Sequence, residues 1–336
     1  MIHRVAVVGS GHMARKHLGT LAPRTDVRLV CLCATARSEH AAREVGAEFG
    51  IRRVTSSYDE VLADDAVDVV WICTPDDLHA EQAAQALAAG KDVFCEKPLA
   101  RRREDFERIG RLLAESSATL AVGMNCRFRG QYGAVKQAVA SGELGDLRFL
   151  RGTYVVNAVE TTRARVKPWV LSSPPGVHQF LQGGGLHTLD LMRWIGGDVV
   201  SVFARATGFE LRDEWELDTF SVSLEFASGV LGEVLVSAAA FRPDDFSLEA
   251  WGSEGAIVGR AVYRRRGDGV EEARTLEFEQ PRLDLELQAD NVFGGAPLNS
   301  FAEARANFAV LDAAERSIAS GRSVALEPAA LSQGAA

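Results

Sequence analysis

"RVAVVGSGHMA", residues 4–14, decides how the chain begins. Residues 4–9 form a short run rich in valine that ends in glycine, the pattern of a buried strand. Directly after the turn, Met13, His17, Leu18 and Leu21 fall at helical spacing, and Pro23 ends the run. Gly9, Gly11 and Ala14 make up G-x-G-x-x-A. In such a turn the first glycine allows the bend, the second lets backbone approach a pyrophosphate, and the small third residue lets the helix pack closely. The helix start, with His12 and Met13, offers unpaired N–H groups to the phosphates. A strand–turn–helix that binds a dinucleotide is therefore expected.

The pattern repeats outward. Strand-like runs at 27–33, 67–75, 91–98 and 119–125 alternate with helical stretches near 38–49, 76–90 and 103–117. Ser57 and Glu60 stand at capping-box spacing. Such alternation with short links predicts an α/β, doubly wound parallel sheet over residues 1–124. After 125 a helix near 131–141 leads into long alternating runs joined by glycine turns. Residues 125–336 are expected to form an α+β domain with a mostly antiparallel, open sheet and a closing helix.

Composition bounds the partners. The chain has 336 residues and a net charge of -9, which argues against a nucleic-acid surface. Arg101–Arg103 and Arg264–Arg266 read as solvated runs, the second before the turn Gly267-Asp268-Gly269. Cys31, Cys33, Cys73, Cys95 and Cys126 lack zinc-ligand spacing, so no metal site is expected. Reduced thiols, an N-terminal apolar run too short for a signal peptide and no membrane span lead to the expectation of a cytoplasmic protein.

The end of the second strand bears on which dinucleotide binds. An Asp or Glu that would grip the ribose diol is absent from Cys33-Ala34-Thr35-Ala36-Arg37-Ser38. Arg37 could pair with a 2′-phosphate, with Thr35 and Ser38 beside it, so NADP is favoured and NAD remains open.

Taken together, the chain resembles the glucose–fructose oxidoreductase / inositol dehydrogenase family, Gfo/Idh/MocA. The resemblance runs almost end to end. It rests on the glycine turn, "CTPDDLH" (73–79), "EKPLA" (96–100), "NCRFRGQY" with "SGELGDLRFLRG" (125–152), "GGGLHTLDLMRWIGG" (183–197) and a last helix ending in "SGRSV". It implies that Thr74 and Pro75 line the cofactor groove, with His79 heading the next helix. Glu96-Lys97-Pro98 matches a motif whose Lys–Pro bond is commonly cis and whose lysine points into the active site, so Glu96 and Lys97 would also meet the cofactor. Asn125 would lie by the cofactor and Arg127 by the substrate, near the domain junction. His187 and Asp190 match H-x-x-D, whose histidine usually serves as acid–base, and both would meet the substrate together with Lys97. Trp169, in a basic segment, and His178 are further substrate candidates. One position departs. Gly183 stands where the family often has an aspartate to steady the histidine, leaving Gln182 or Asp190 as replacements.

The reading that follows is a nicotinamide-dependent oxidoreductase acting on a secondary alcohol or ketone of a sugar or cyclitol, with Lys97 and His187 as its catalytic pair. A homodimer or homotetramer is implied by the resemblance. A redox-assisted glycosidase or lyase and a non-catalytic dinucleotide-binding regulator are the alternatives.

Overall fold

The computed structural model describes residues 2–164, 178–280, 282–295 and 297–327. Its first part runs β1 (His3–Val8), α1 (His12–Leu21), β2 (Val27–Cys33), α2 (Glu39–Glu48), β3 (Val54–Thr55), α3 (Tyr58–Leu62), β4 (Val69–Ile72), α4 (His79–Ala88), β5 (Asp92–Cys95), α5 (Arg103–Ala114) and β6 (Leu120–Val122). The six strands are parallel in the order β3-β2-β1-β4-β5-β6. Strands β1, β4 and β5 are largely buried on both faces, as helices on both sides require. The order reverses between β1 and β4, and ligands of such sheets bind beyond the strand ends at that point. Ser57 accepts the Glu60 amide at 3.3 Å and caps α3 as its spacing predicts.

The chain continues with α6 (Gly130–Ala140), β7 (Leu147–Val155), α7 (Val159–Arg163), α8 (Leu186–Gly196), β8 (Val199–Thr207), α9 (Arg212–Trp215), β9 (Thr219–Phe226) and β10 (Leu231–Ser237). Then come β11 (Asp245–Gly252), β12 (Gly255–Val258), β13 (Ala261–Arg266), β14 (Gly269–Thr275), α10 (Asp284–Phe293), α11 (Phe301–Ser320) and β15 (Val324–Ala325). The nine strands form one sheet, β14-β13-β12-β11-β7-β10-β9-β8-β15. Every pairing is antiparallel except that of β7 with β10. On β9 the buried residues Phe220, Val222, Leu224 and Phe226 alternate with exposed Ser221, Ser223 and Glu225, so one face packs and the other does not.

Two compact units result: Met1–Asn125 with Arg282–Ala304, and Cys126–Pro281 with Arg305–Ala336. The sequence reading makes a single cut, 1–124 against 125–336. The structure instead returns α10 to the first unit. Ala289 is fully buried in the core cluster that includes Val5, Trp71 and Phe94, and Val292 and Phe293 pack against it. Arg24 adds an ion pair to Asp290 at 2.5 Å and lies over the Phe293 ring. The solvated reading also fails at Arg101, which is buried in an ion pair with Asp76. It holds for Arg264–Arg266, exposed on β13.

Candidate active site

The cofactor half is built at the strand ends of the first unit. Gly9 has φ +109, and a Cβ there would come 2.5 Å from the Cys73 carbonyl oxygen, so only glycine allows the β1–α1 turn to lie against the end of β4. Gly11 is different. It caps α1 in extended conformation, and a Cβ there would meet nothing within 4 Å. The α1 cap carries no side-chain hydrogen bond and the first turn has no acidic residue. Ala14 is fully buried beneath, while His12 is exposed and Met13 half-buried. This open cradle over uncapped helix amides fits a pyrophosphate.

At the end of β2, Thr35 and Arg37 are exposed and Ser38 is half-buried. The Thr35 and Ser38 hydroxyls lie 2.8 Å apart. The first carboxylate, Glu39, is held below the usual range chiefly by its hydrogen bond from Arg43. Arg37 has no ion pair among the described residues. Guanidinium and hydroxyls therefore share the place where a ribose would be read.

The ends of β4 and β5 are stapled together. His79 is buried, and its ring nitrogens lie 2.8 Å from the Pro98 and Thr74 carbonyl oxygens. The Thr74 hydroxyl donates to Gln82 at 2.6 Å, and Pro75 is half-buried. The Lys97–Pro98 bond is cis and Lys97 is half-buried. Asn125 donates to Asp284 of α10 at 2.7 Å.

Glu96 corrects the sequence reading. Its carboxylate turns inward to His17 of α1 at 2.8 Å, accepts the Lys97 amide at 3.1 Å and leaves the residue 8 % exposed. Burial alone would push this carboxyl up, but His17 and then Lys97 hold it below its ordinary value. Glu96 thus supports the lysine turn instead of facing a cofactor. Its partner stands 79 residues away, so no local pattern could pair them.

The second unit carries the histidine. Leu181–Gly185 form a π-helical turn that runs into α8, a feature frequent at functional sites. Gly184 lets this turn lie on β7, because a Cβ there would come 2.5 Å from Cε1 of Tyr154. His187 is half-buried, with Cys126 Sγ 3.5 Å from its Nδ1 and the Tyr154 ring stacked at 6.4 Å.

Asp190 and Arg127 do not face outward as substrate ligands. Asp190 is wholly buried and takes Arg127 Nε at 2.9 Å, Arg127 Nη2 at 2.6 Å and Asn307 Nδ2 at 2.6 Å. A carboxylate held this way cannot steady His187, so Asp190 does not replace the missing aspartate. His178 is likewise tied to α11, where Glu315 accepts its backbone amide at 2.8 Å and pairs with its Nδ1. Trp169 lies outside the described residues. Cys126 and Tyr154 are the neighbours of His187 that the sequence reading passes over, since one reads as a buried thiol and the other as an ordinary strand aromatic.

Comparison with known proteins agrees with this layout. Residues 3–124 match the description "Oxidoreductase family, NAD-binding Rossmann fold", and residues 132–258 match the "GFO/IDH/MocA C-terminal domain". The chain belongs to the GFO/IDH/MocA family. Among its relatives, inositol 2-dehydrogenase of Rhizobium meliloti is 28 % identical, covering 97 % of this chain and all of that protein. The scyllo-inositol 2-dehydrogenase (NAD(+)) of Bacillus subtilis is 26 % identical over 96 % of both chains. A solved levoglucosan dehydrogenase, in complex with NADH and levoglucosan, shares the fold with a TM-score of 0.83 at 23 % identity, covering 97 % of this chain and 99 % of its own. As a GFO/IDH/MocA protein, the chain binds a nicotinamide dinucleotide through its first unit.

Two outcomes test this site. Gly9→Ala should lower stability by about 1–3 kcal/mol from backbone strain alone, read as a lower Tm. Gly11→Ala should leave the Tm unchanged and weaken dinucleotide binding at least tenfold. Equal Tm losses in both variants would contradict the assignment of the open cradle.

Because the Glu96 pKa is depressed in the folded state, its contribution to stability is present above the unfolded carboxyl value of about 4.3 and is lost as pH falls through the lower folded value. Urea melts should show Glu96→Gln less stable than wild type at pH 7, with the gap closing under acid. A pH-independent gap would show that its charge contributes nothing.

Proposed function

We propose that the chain transfers a hydride between a nicotinamide and the carbinol or ketone carbon of a sugar, cyclitol or related polyol. The observation that carries this is Lys97, half-buried just beyond β5 in a sheet whose β1–α1 turn holds an open dinucleotide cradle. Gly11 and the α1 amides would hold the pyrophosphate, and Thr74 and Pro75 would line the groove. Bound there, the nicotinamide supplies the hydride acceptor or donor.

The ammonium of Lys97 stabilises negative charge that develops on the substrate oxygen. The Glu96 carboxylate accepts the Lys97 backbone amide and so fixes the turn from which the lysine side chain extends. Lys97 also exchanges the hydroxyl proton, and His187 is the second acid–base group of the chain. The names of the inositol and levoglucosan dehydrogenases support the substrate class.

For the cofactor, the absent carboxylate after β2 and the exposed Arg37 favour NADP over NAD. One relative is named for NAD(+), so the preference is read by titration of this chain. Titration by nicotinamide fluorescence should give tighter binding of NADPH than NADH, and Arg37→Ala should erase the difference. In the same assay Lys97→Ala should keep its affinity while turnover of inositols and anhydro-sugars falls by about 100-fold or more. Tighter NADH binding removes the NADP assignment, and equal loss of affinity and turnover makes Lys97 structural.

All five cysteines are buried and none forms a disulfide among the described residues, which suits a reducing compartment such as the cytoplasm. No described helix is long and apolar enough to cross a membrane. The open face of the nine-stranded sheet supports a homodimer or homotetramer. Leu231, Phe149 and Trp251 lie side by side on it, next to a row of Glu233, Arg151 and Glu249. An apolar strip beside alternating charges can meet a second copy of itself. Light scattering should return two or four chains for wild type and one for Trp251→Glu. A monomeric wild type would reject this assembly.

A further inference from the structure

Tyr154 of β7 is a polar side chain beside His187 whose ring is held on three sides. Phe246, opposite it on β11, meets it edge-on with centroids 4.2 Å apart, and Phe180 does so at 5.5 Å. The π-helical turn closes the third side, where a Cβ at Gly184 would come 2.5 Å from Cε1 of the ring. The imidazole of His187 stands nearly parallel to the phenol, tilted by 18° with centroids 6.4 Å apart. A ring clamped in this way fixes where its hydroxyl points.

That hydroxyl has no internal use. Tyr58 and Tyr132 donate theirs to the Gln82 and Phe246 carbonyls at 2.8 and 3.1 Å. Tyr154 makes no hydrogen bond among the described residues. Burial pushes its phenol up to about 12, with Cys126 and Asp244 adding to the rise and Arg129 opposing it, so it is a protonated donor at neutral pH. A tyrosine covered to this extent usually finds a partner for its hydroxyl. A rigid, protonated and unspent donor beside an acid–base histidine is a ready contact for a ligand oxygen.

We propose that the Tyr154 hydroxyl donates a hydrogen bond to an oxygen of the substrate, in the part of the site that the second unit builds around His187. Tyr154 is then a substrate-binding residue. It selects ligands that carry an acceptor oxygen, hydroxyl or carbonyl, at that place, because a ligand without one leaves the phenol unpaired. This inference deepens the oxidoreductase reading and rests on it for the polyol class of the ligand.

The test reads binding before turnover. The whole protein is labelled with 13C at Cζ of its four tyrosines and with 15N in its seven histidines. Signals are assigned by their loss in Tyr154→Phe and His187→Gln. Saturated with NADPH or NADH, which cannot oxidise an alcohol, the protein is titrated with myo-inositol, 1,5-anhydroglucitol and levoglucosan. A probe that moves the His187 ring signals should also move the Tyr154 signal and leave the other three tyrosines in place. Tyr154→Phe keeps the ring and should keep the Tm and the dinucleotide affinity, while binding that probe about five- to tenfold more weakly. One monodeoxy form of the probe, lacking the oxygen that the phenol meets, should bind wild type and variant alike.

The proposal is overturned by a Tyr154 signal that stays in place while His187 responds, or by an unchanged affinity in Tyr154→Phe. A loss that no deoxy position cancels overturns it too, as does a panel in which no probe moves either residue. A failure of the function reading looks different. In that case Tyr154 and His187 both answer to a polyol, yet neither NADP+ nor NAD+ takes a hydride from it.

Discussion

A carboxylate almost cut off from water anchors the catalytic end of the first unit. Taking such a charge out of water costs several kcal/mol unless it is paired and hydrogen-bonded. Glu96 meets that demand with His17 on one oxygen and the Lys97 amide on the other. Its partner sits on α1, the helix whose N-terminus forms the phosphate cradle, so one buried pair ties that helix to the lysine turn. His17 is in turn wedged edge-on against Trp71 and Phe94, which stack on each other at 3.9 Å. The aromatic core of the sheet therefore sets where this hydrogen-bonded pair can form. Lys97 inherits its position from that core.

The second unit repeats the device with different residues. Asp190, wholly buried, is gripped in a bidentate fork by Arg127 and by Asn307 of α11, and Arg193 donates to Asn307 at 2.7 Å. The charge fastens α8 from its inner side. His187, three residues earlier on the same helix, is left half-buried against Cys126 and Tyr154. In both units the deeply buried carboxylate is a support, and the residue assigned to chemistry is the half-buried one beside it. Rigid scaffolding under a partly exposed polar group is what a preorganised site needs.

Much of this was legible in the sequence because it depends on local pattern. The glycine turn, the strand–helix alternation, the Ser57 cap and the alternating runs of β9 each follow from residues close together in the chain. The cis Lys97–Pro98 bond was legible only through the family motif. Partnerships across long separations were not. Glu96 and Asp190 read as polar ligands because a sequence shows a carboxylate but not the His17 or Arg127 that consumes it. Arg101 read as solvated for the same reason. Helix α10 carries too short a periodic stretch to announce that it rejoins the first core, and β3 is two residues long. Cys126 was visible inside a quoted motif, yet its meaning depends on His187, sixty-one residues on.

The central claim is that this scaffold moves a hydride to and from a polyol carbon. It is tested most directly with NADPH or NADH deuterated at the transferable C4 position, incubated with the protein and a panel of keto-inositols and anhydro-ketoses. Mass spectrometry should find one deuterium on the new carbinol carbon of at least one product, and none when Lys97→Ala replaces wild type. Deuterium that stays on the nicotinamide across the whole panel, with the dinucleotide bound but unconsumed, would contradict the account.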